Sequence, residues 1–114
     1  MSATYVNDGR RILYTNTSSA ISAGDPVVIV SGTSGITGVA VVDIAATTGT
    51  GQVEIAGRFT FVKANSEAIT QGQVLYWDGT EATGTSTSTY TRCGRAAVAA
   101  ATAATSVDVL LNVY

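Results

Sequence analysis

The 114-residue chain contains no histidine, and that one absence removes several kinds of chemistry. Without imidazole, neither a Ser-His-Asp nor a Cys-His nucleophile system can be built, and a His-based metal site is excluded as well. Cys93 is the single cysteine. It cannot form an internal disulfide, so a chain made and used without oxidation is expected. Charge is also scarce, with Asp, Glu, Lys and Arg making up 12% of the residues against about 25% in ordinary soluble domains. The net charge is -2 and the only adjacent basic pair is Arg10-Arg11. Neutralising phosphates takes clustered Lys and Arg, so no nucleic-acid partner is expected. No stretch approaches the roughly 18 consecutive apolar residues of a membrane-crossing helix, and no membrane partner is expected. The opening Met1–Asp8 has no basic end followed by an apolar core and does not read as a secretory signal.

What remains is apolar and small. Hydrophobic residues make up 46% of the chain, and its length suits one domain, burying roughly two-thirds of its unfolded surface. A small domain carries much surface for its volume and needs charge to keep that surface soluble alone. This chain lacks the charge. Part of its surface is therefore expected to be covered by partners, as in an assembly subunit.

Valine, isoleucine and threonine are abundant while leucine, lysine and glutamate are scarce, which favours strands over helices. Glycines punctuate short segments from position 24 onward, and strands are expected at 11–15, 26–30, 36–43, 52–62, 73–77, 94–99 and 107–113. Within Val53–Phe61 the odd positions Val53, Ile55, Phe59 and Phe61 share one face and Glu54, Arg58 and Thr60 the other. Gly57 interrupts that run, where a bulge or bend is expected. The last strand points Val107, Val109, Leu111 and Val113 inward by the same rule. Residues 96–104 carry high helix propensity, and a short helix there is the alternative to a strand.

Several of these blocks occur twice. Ala20-Ile21-Ser22-Ala23-Gly24-Asp25-Pro26-Val27-Val28 is echoed by Ala68-Ile69-Thr70-Gln71-Gly72-Gln73-Val74-Leu75-Tyr76. Gly38-Val39-Ala40-Val41-Val42 is answered by Gly94-Arg95-Ala96-Ala97-Val98, and Val53-Glu54-Ile55 by Val107-Asp108-Val109. The offset shifts because Thr83–Thr91 is a Thr/Ser-rich insert, read as a loop or hairpin. Two copies are too few for a solenoid. The expected fold is all-β, a small β-barrel or β-sandwich built from two similar β-units, about 20–57 and 68–111. Residues 1–17 lie outside the echo as an N-terminal arm or edge strand, followed by a single β domain at 18–114.

No catalytic constellation emerges. Arg92 and Arg95 near Cys93 could lower a thiol pKa, but a buried, incidental cysteine is the stronger reading. Glu54 and Asp108, taken as repeat equivalents, suit a solvated polar face better than a pair of acid–base carboxylates. Asp78 and Glu81 lack the spacing of a calcium loop. The glycines at 32, 35, 38, 49 and 51 have neither the Gly-Lys-Ser/Thr nor the following helix of a phosphate cradle. No catalytic residue, metal or cofactor is assigned, and no enzyme is expected. The residues suited to contacts with a partner or a second copy are Tyr5, Arg10, Arg11, Tyr14 and Trp77, because aromatics and arginine concentrate at interface centres.

Laid out in order, these blocks resemble the capsid decoration, or cement, proteins of tailed bacteriophages. The resemblance is carried by Tyr5-Val6, then Ala23-Gly24-Asp25-Pro26-Val27-Val28 and Gly35-Ile36-Thr37-Gly38-Val39-Ala40. It continues through Val53-Glu54-Ile55-Ala56-Gly57-Arg58-Phe59, Ala68-Ile69-Thr70-Gln71-Gly72, Leu75-Tyr76-Trp77-Asp78 and the closing 107–113 strand. Gly72-Gln73, Gly94-Arg95-Ala96 and the Thr/Ser insert depart from the pattern. The resemblance implies a compact β-barrel or sandwich, assembled in the bacterial host cytoplasm onto the outer surface of the head. Its partners would be the major capsid protein and itself, as a homo-oligomer that bridges shell subunits. Closed symmetry would cover apolar surface, and a threefold oligomer is the first expectation, because shells of hexamers and pentamers leave threefold junctions between capsomers, with a twofold the second. A glycan- or host-surface-binding β-sandwich is the alternative, and it would need an aromatic platform that the sequence does not display.

Overall fold

A computed structural model describes Ala3 and residues 9–113. Nine strands and no helix occur among the described residues. They are β1 (Arg11–Thr15), β2 (Pro26–Val30), β3 (Ile36–Ala40), β4 (Thr50–Glu54), β5 (Arg58–Val62), β6 (Val74–Trp77), β7 (Ala82–Thr83), β8 (Thr91–Ala96) and β9 (Ser106–Leu111). They form a four-stranded sheet, β1-β4-β3-β2, and a five-stranded sheet, β5-β9-β8-β6-β7. All strand pairs within the sheets are antiparallel. The fold is all-β and sandwich-like, flattened to 42 × 36 × 24 Å.

Apart from β7, the two sheets share one strand order. Each runs first, fourth, third, second, with β1, β2, β3 and β4 matched by β5, β6, β8 and β9. The loops match bond for bond. Ile21 and Ile44 form an isolated antiparallel bridge, as do Ile69 and Ala100. The Gly24 N–H donates to the Ala40 carbonyl at 2.8 Å, and Gly72 to Ala96 at 2.9 Å. Asp25 Oδ2 accepts the Ser22 N–H, and Gln73 Oε1 accepts the Thr70 N–H, both at 3.0 Å. The same turn is thus built once with a carboxylate and once with an amide, which explains why Gln73 can stand where the first unit has Asp25. The correspondence takes in β1, whose edge position in the first sheet is that of β5 in the second.

The ladders correct three sequence expectations. The run 52–62 is not one strand but two, β4 and β5, which lie in different sheets. Gly57 has φ +119, in the region that costs a side chain dearly, and there the chain leaves one sheet and enters the other. Second, Arg11 faces Glu54 whereas Arg58 faces Leu110, so Glu54 corresponds to Leu110 and Asp108 to Gln52. The slip of two keeps every residue on its face, which is why the sequence pattern did not betray it. Third, the strand placed at 94–99 is β8 at Thr91–Ala96, Ala97–Ala104 form neither strand nor helix, and Val113 is 44% exposed. At Gly94 (φ +147) a side chain would collide with the Leu110 carbonyl. A bulge there sets Cys93 between the pairs Leu75–Gly94 and Tyr76–Arg92. The strand β7, at the start of the insert, has no counterpart. The Glu67 carboxylate pins it, accepting the Thr83 hydroxyl at 2.8 Å and the Gly84 N–H.

Each sheet has an inner face and an outer face. The inner face of the first carries Val27, Ala40 and Val53, which cluster with Ile44. That of the second carries Phe61, Leu75, Ala96, Val107, Val109 and Leu111, which cluster with Ile69, Ala82 and Cys93. Val39 sits on the outer face of the first sheet, opposite Glu54, yet it belongs to the second cluster. The β3 part of the first sheet's outer face therefore lies on the inner face of the second, while Leu13 and Val28 on the rest of that outer face stay exposed. The sheets meet at β3 and β8, where the fully buried Thr37 donates its hydroxyl to the Arg92 carbonyl at 3.3 Å. Asn112, in the left-handed region with φ 55, closes the seam. Its Nδ2 donates to the carbonyls of Thr37 and Ile55, both at 2.8 Å, and its Oδ1 accepts the Thr37 N–H at 3.2 Å.

Two buried polar side chains seal matching loops. Asn16 donates to the Ser19 and Ala45 carbonyls at 2.8 and 3.1 Å. Its counterpart Lys63 donates its ammonium to the Ala64 and Thr102 carbonyls at 2.8 and 3.3 Å. Burial of a charge is tolerated only when it is hydrogen-bonded, and both loops depend on these donors.

Asn112→Ala leaves both backbone groups of buried Thr37 without their partner and puts at a positive φ a residue that tolerates it less well than asparagine. The expected cost is about 3 kcal/mol of unfolding free energy, measured by denaturant titration. An unchanged midpoint would show that the seam is not held by Asn112.

Candidate functional site

The five residues singled out from the sequence do not converge. Tyr5 lies outside the described residues. Arg10 is exposed just before β1, its guanidinium 3.7 Å from where a Cβ on Gly57 would stand, beside the Phe59 ring. Arg11 lies on edge strand β1 with Nε 2.9 Å from Glu54 Oε1, across the outer face. Tyr14 points to the opposite, inner face and packs half-buried against the first core. Trp77 belongs to the second sheet, half-buried, with its ring edge-on to Phe61 at 5.6 Å between centroids and 83° between planes.

The geometry does bring other residues together. A cleft of about 230 Å³ opens along the seam between the sheets, lined by Pro26 and Val39 from one side and Phe59, Phe61 and Trp77 from the other. Sequence reading located Trp77 but missed its neighbours. Phe59 and Phe61 looked like ordinary core, and nothing local shows that Val39 faces a different sheet. The cleft is apolar, with Asp25 the only ionisable residue among those lining it. Acid–base work needs a titratable pair within hydrogen-bond reach of one substrate, which the cleft does not supply.

Outside the cleft the carboxylates are held in local structure. Asp108 accepts Arg58 Nη2 at 2.7 Å and the Thr60 hydroxyl at 2.8 Å across β5 and β9. The Arg58 bonds first, then Thr60, hold its carboxyl below the usual range. Burial pushes the Asp78 carboxyl up, but donation from the Thr80 and Glu81 N–H groups and the Thr80 hydroxyl outweighs it, and the net direction is down. This is an Asx turn. No group of three or more His, Cys, Asp or Glu residues is placed to hold a metal among the described residues.

Cys93 is fully buried, and desolvation pushes its thiol up to about 12. The neighbouring arginines do not activate it, because a thiolate is the reactive species and this site disfavours it. In the folded protein at pH 8 a thiol reagent should modify Cys93 at least about a hundredfold more slowly than in denaturant, since access requires opening of the core. Equal rates in the two conditions would refute the placement of Cys93. A second expectation follows from Asp108. Its depressed pKa means stability present above the unfolded-state value and lost as pH falls through the folded-state value. Asp108→Asn should therefore flatten the loss of stability on acidification below about pH 4, as read from thermal midpoints against pH.

The geometry thus presents two sheets joined at β3 and β8, with partly covered apolar faces, an apolar seam and, among the described residues, no assembled catalytic group. No curated protein and no solved structure matches the chain. A family model described as phage cement protein matches residues 6–111, nearly the whole length. The chain belongs to the phage cement protein family.

Proposed function

We propose that this protein binds the outer surface of an assembled phage head and stabilises contacts between neighbouring major capsid subunits, acting as a homo-oligomer without enzymatic activity. The observation that carries the reading is the family match across residues 6–111. The charge content of 12% supports it independently, because so uncharged a surface suits contact with other proteins better than solvation alone. So does the exposure of large apolar side chains, Leu13 at 65%, Val62 at 58% and Val30 at 51%. A trimer is the favoured assembly and a dimer the second choice. The host cytoplasm is the place of assembly in this reading. The two sheets are read as two copies of one four-stranded unit, residues 11–55 and 58–111.

Attachment by an oligomer has a simple energetic logic. One protomer offers a patch on the order of 800 Å² to a partner. Several such patches held on one body raise the effective concentration of each, so moderate contacts sum to tight attachment. The N-terminal segment with Tyr5 serves as the reaching element, ahead of Arg10 and of Arg11, which stays in β1 paired with Glu54.

The protein should copurify with heads in numbers comparable to the shell subunit, and heads stripped of it should rupture at lower temperature. Deleting residues 2–9 should leave the melting transition intact and weaken head binding about tenfold, or about 1.4 kcal/mol, in a sedimentation assay. Equal binding by the truncated protein would remove the segment from the mechanism. Equal robustness of bare heads would remove the cement role itself.

A further inference from the structure

The two matching inner faces are buried unequally. In the second sheet Phe61, Ile69 and Leu111 are 3%, 2% and 3% exposed. Their counterparts in the first sheet, Tyr14, Ile21 and Ile55, are only partly buried, as are Ile12 and Ile29 on the same face. The cause is the stacking order. The second sheet's inner face is covered by Pro26, Thr37 and Val39 of the first sheet, whereas among the described residues no strand of the second sheet covers the first sheet's inner face, whose centre is closed by Ile44 and whose margin stays partly open. At the other end, the second sheet's outer face carries Val74, Arg95 and Leu110 beside the Arg58–Asp108 ion pair, and no strand among the described residues covers it, Leu110 being 36% exposed. A contact between unlike faces is head-to-tail, and such contacts propagate until a ring closes.

We propose that in the homo-oligomer the outer face of the second sheet of one copy covers the inner face of the first sheet of the next, repeating between copies the stacking already present within the chain. This inference rests on the homo-oligomer reading and names its interface. The occupant is a second copy because the two surfaces are the structural counterparts of a pair that already fits. The substitutions between the units agree with the pairing. Inside the chain, Val39 and Phe61 share one cluster and line one cleft. The counterpart of Val39 is Arg95, and that of Phe61 is Tyr14. An apolar pair within the chain thus becomes a guanidinium and a phenol between copies, a combination that attracts through the ring face and is enriched where interfaces are strongest. Arg95 is half-buried and donates to the Gly72 carbonyl at 2.9 Å, which holds it in place on that face.

The test uses the full-length protein and light scattering with size-exclusion chromatography. Arg95→Glu blocks the covering face and Ile29→Asp the covered one. Each variant alone should elute as a monomer with its fold retained by circular dichroism. An equimolar mixture should form a dimer and nothing larger, since each pair then retains one intact contact. If Ile29→Asp fails to fold, hydrogen exchange at residues 12–14 and 27–29 replaces it. Those amides should be slowed by association in the wild type and released in Arg95→Glu. An oligomer that survives Arg95→Glu overturns this interface and leaves the homo-oligomer reading standing. So does loss of assembly in both variants without rescue on mixing, the behaviour of a like-with-like contact. A wild-type protein that stays monomeric at all concentrations overturns both.

Discussion

The seam between β3 and β8 is the contact on which the rest of the structure depends. It joins unlike faces of two sheets that share one strand order, and it does so through a few residues. Val39 reaches out of its own sheet into the second core, Thr37 is fully buried between the sheets, and Asn112 satisfies both backbone groups of Thr37. In a low-dielectric seam each unpaired backbone group would cost more than an ordinary hydrogen bond contributes. Asn112 is therefore a positioning residue for the whole sandwich. The second core is closed by residues of the first sheet, whereas the margin of the first core stays partly open because, among the described residues, no strand of the second sheet covers it.

That asymmetry connects the fold to the family's role. In the proposed role, attachment to an assembled shell needs surface whose burial is deferred until assembly, and low charge keeps that surface inexpensive to desolvate. The carboxylates agree with this. Asp108, Glu54, Asp25, Asp78 and Glu67 are each engaged in a strand pair or turn. The buried ionisable groups, Lys63 and Cys93, are likewise spent on structure, one sealing a loop and the other filling a bulge.

Much was legible locally. Strands 11–15 and 26–30 emerged with their observed limits, because alternation, a turn at Gly24-Asp25-Pro26 and β-branched content agreed. The echo between the halves was legible too, since the same turns recur with the same backbone bonds. The five contact candidates were chosen by residue type, and type alone does not say where a side chain points. Arg11 and Tyr14, three apart on one strand, sit on opposite faces, and Trp77 shares its cleft with residues more than 35 positions away in the chain.

From its sequence alone, then, this protein was bound to be an all-β chain of short strands with a doubled turn pattern, no histidine chemistry and a low charge content. These properties follow from local stereochemistry and composition. Only the tertiary structure decided that 52–62 divides between two sheets, that Val39 belongs to the far core, and that one inner face is covered while its twin is not. The period of two along a strand separates two faces but is silent on what lies against either. In strands as apolar on both sides as β3, that assignment is made by the partner surface alone.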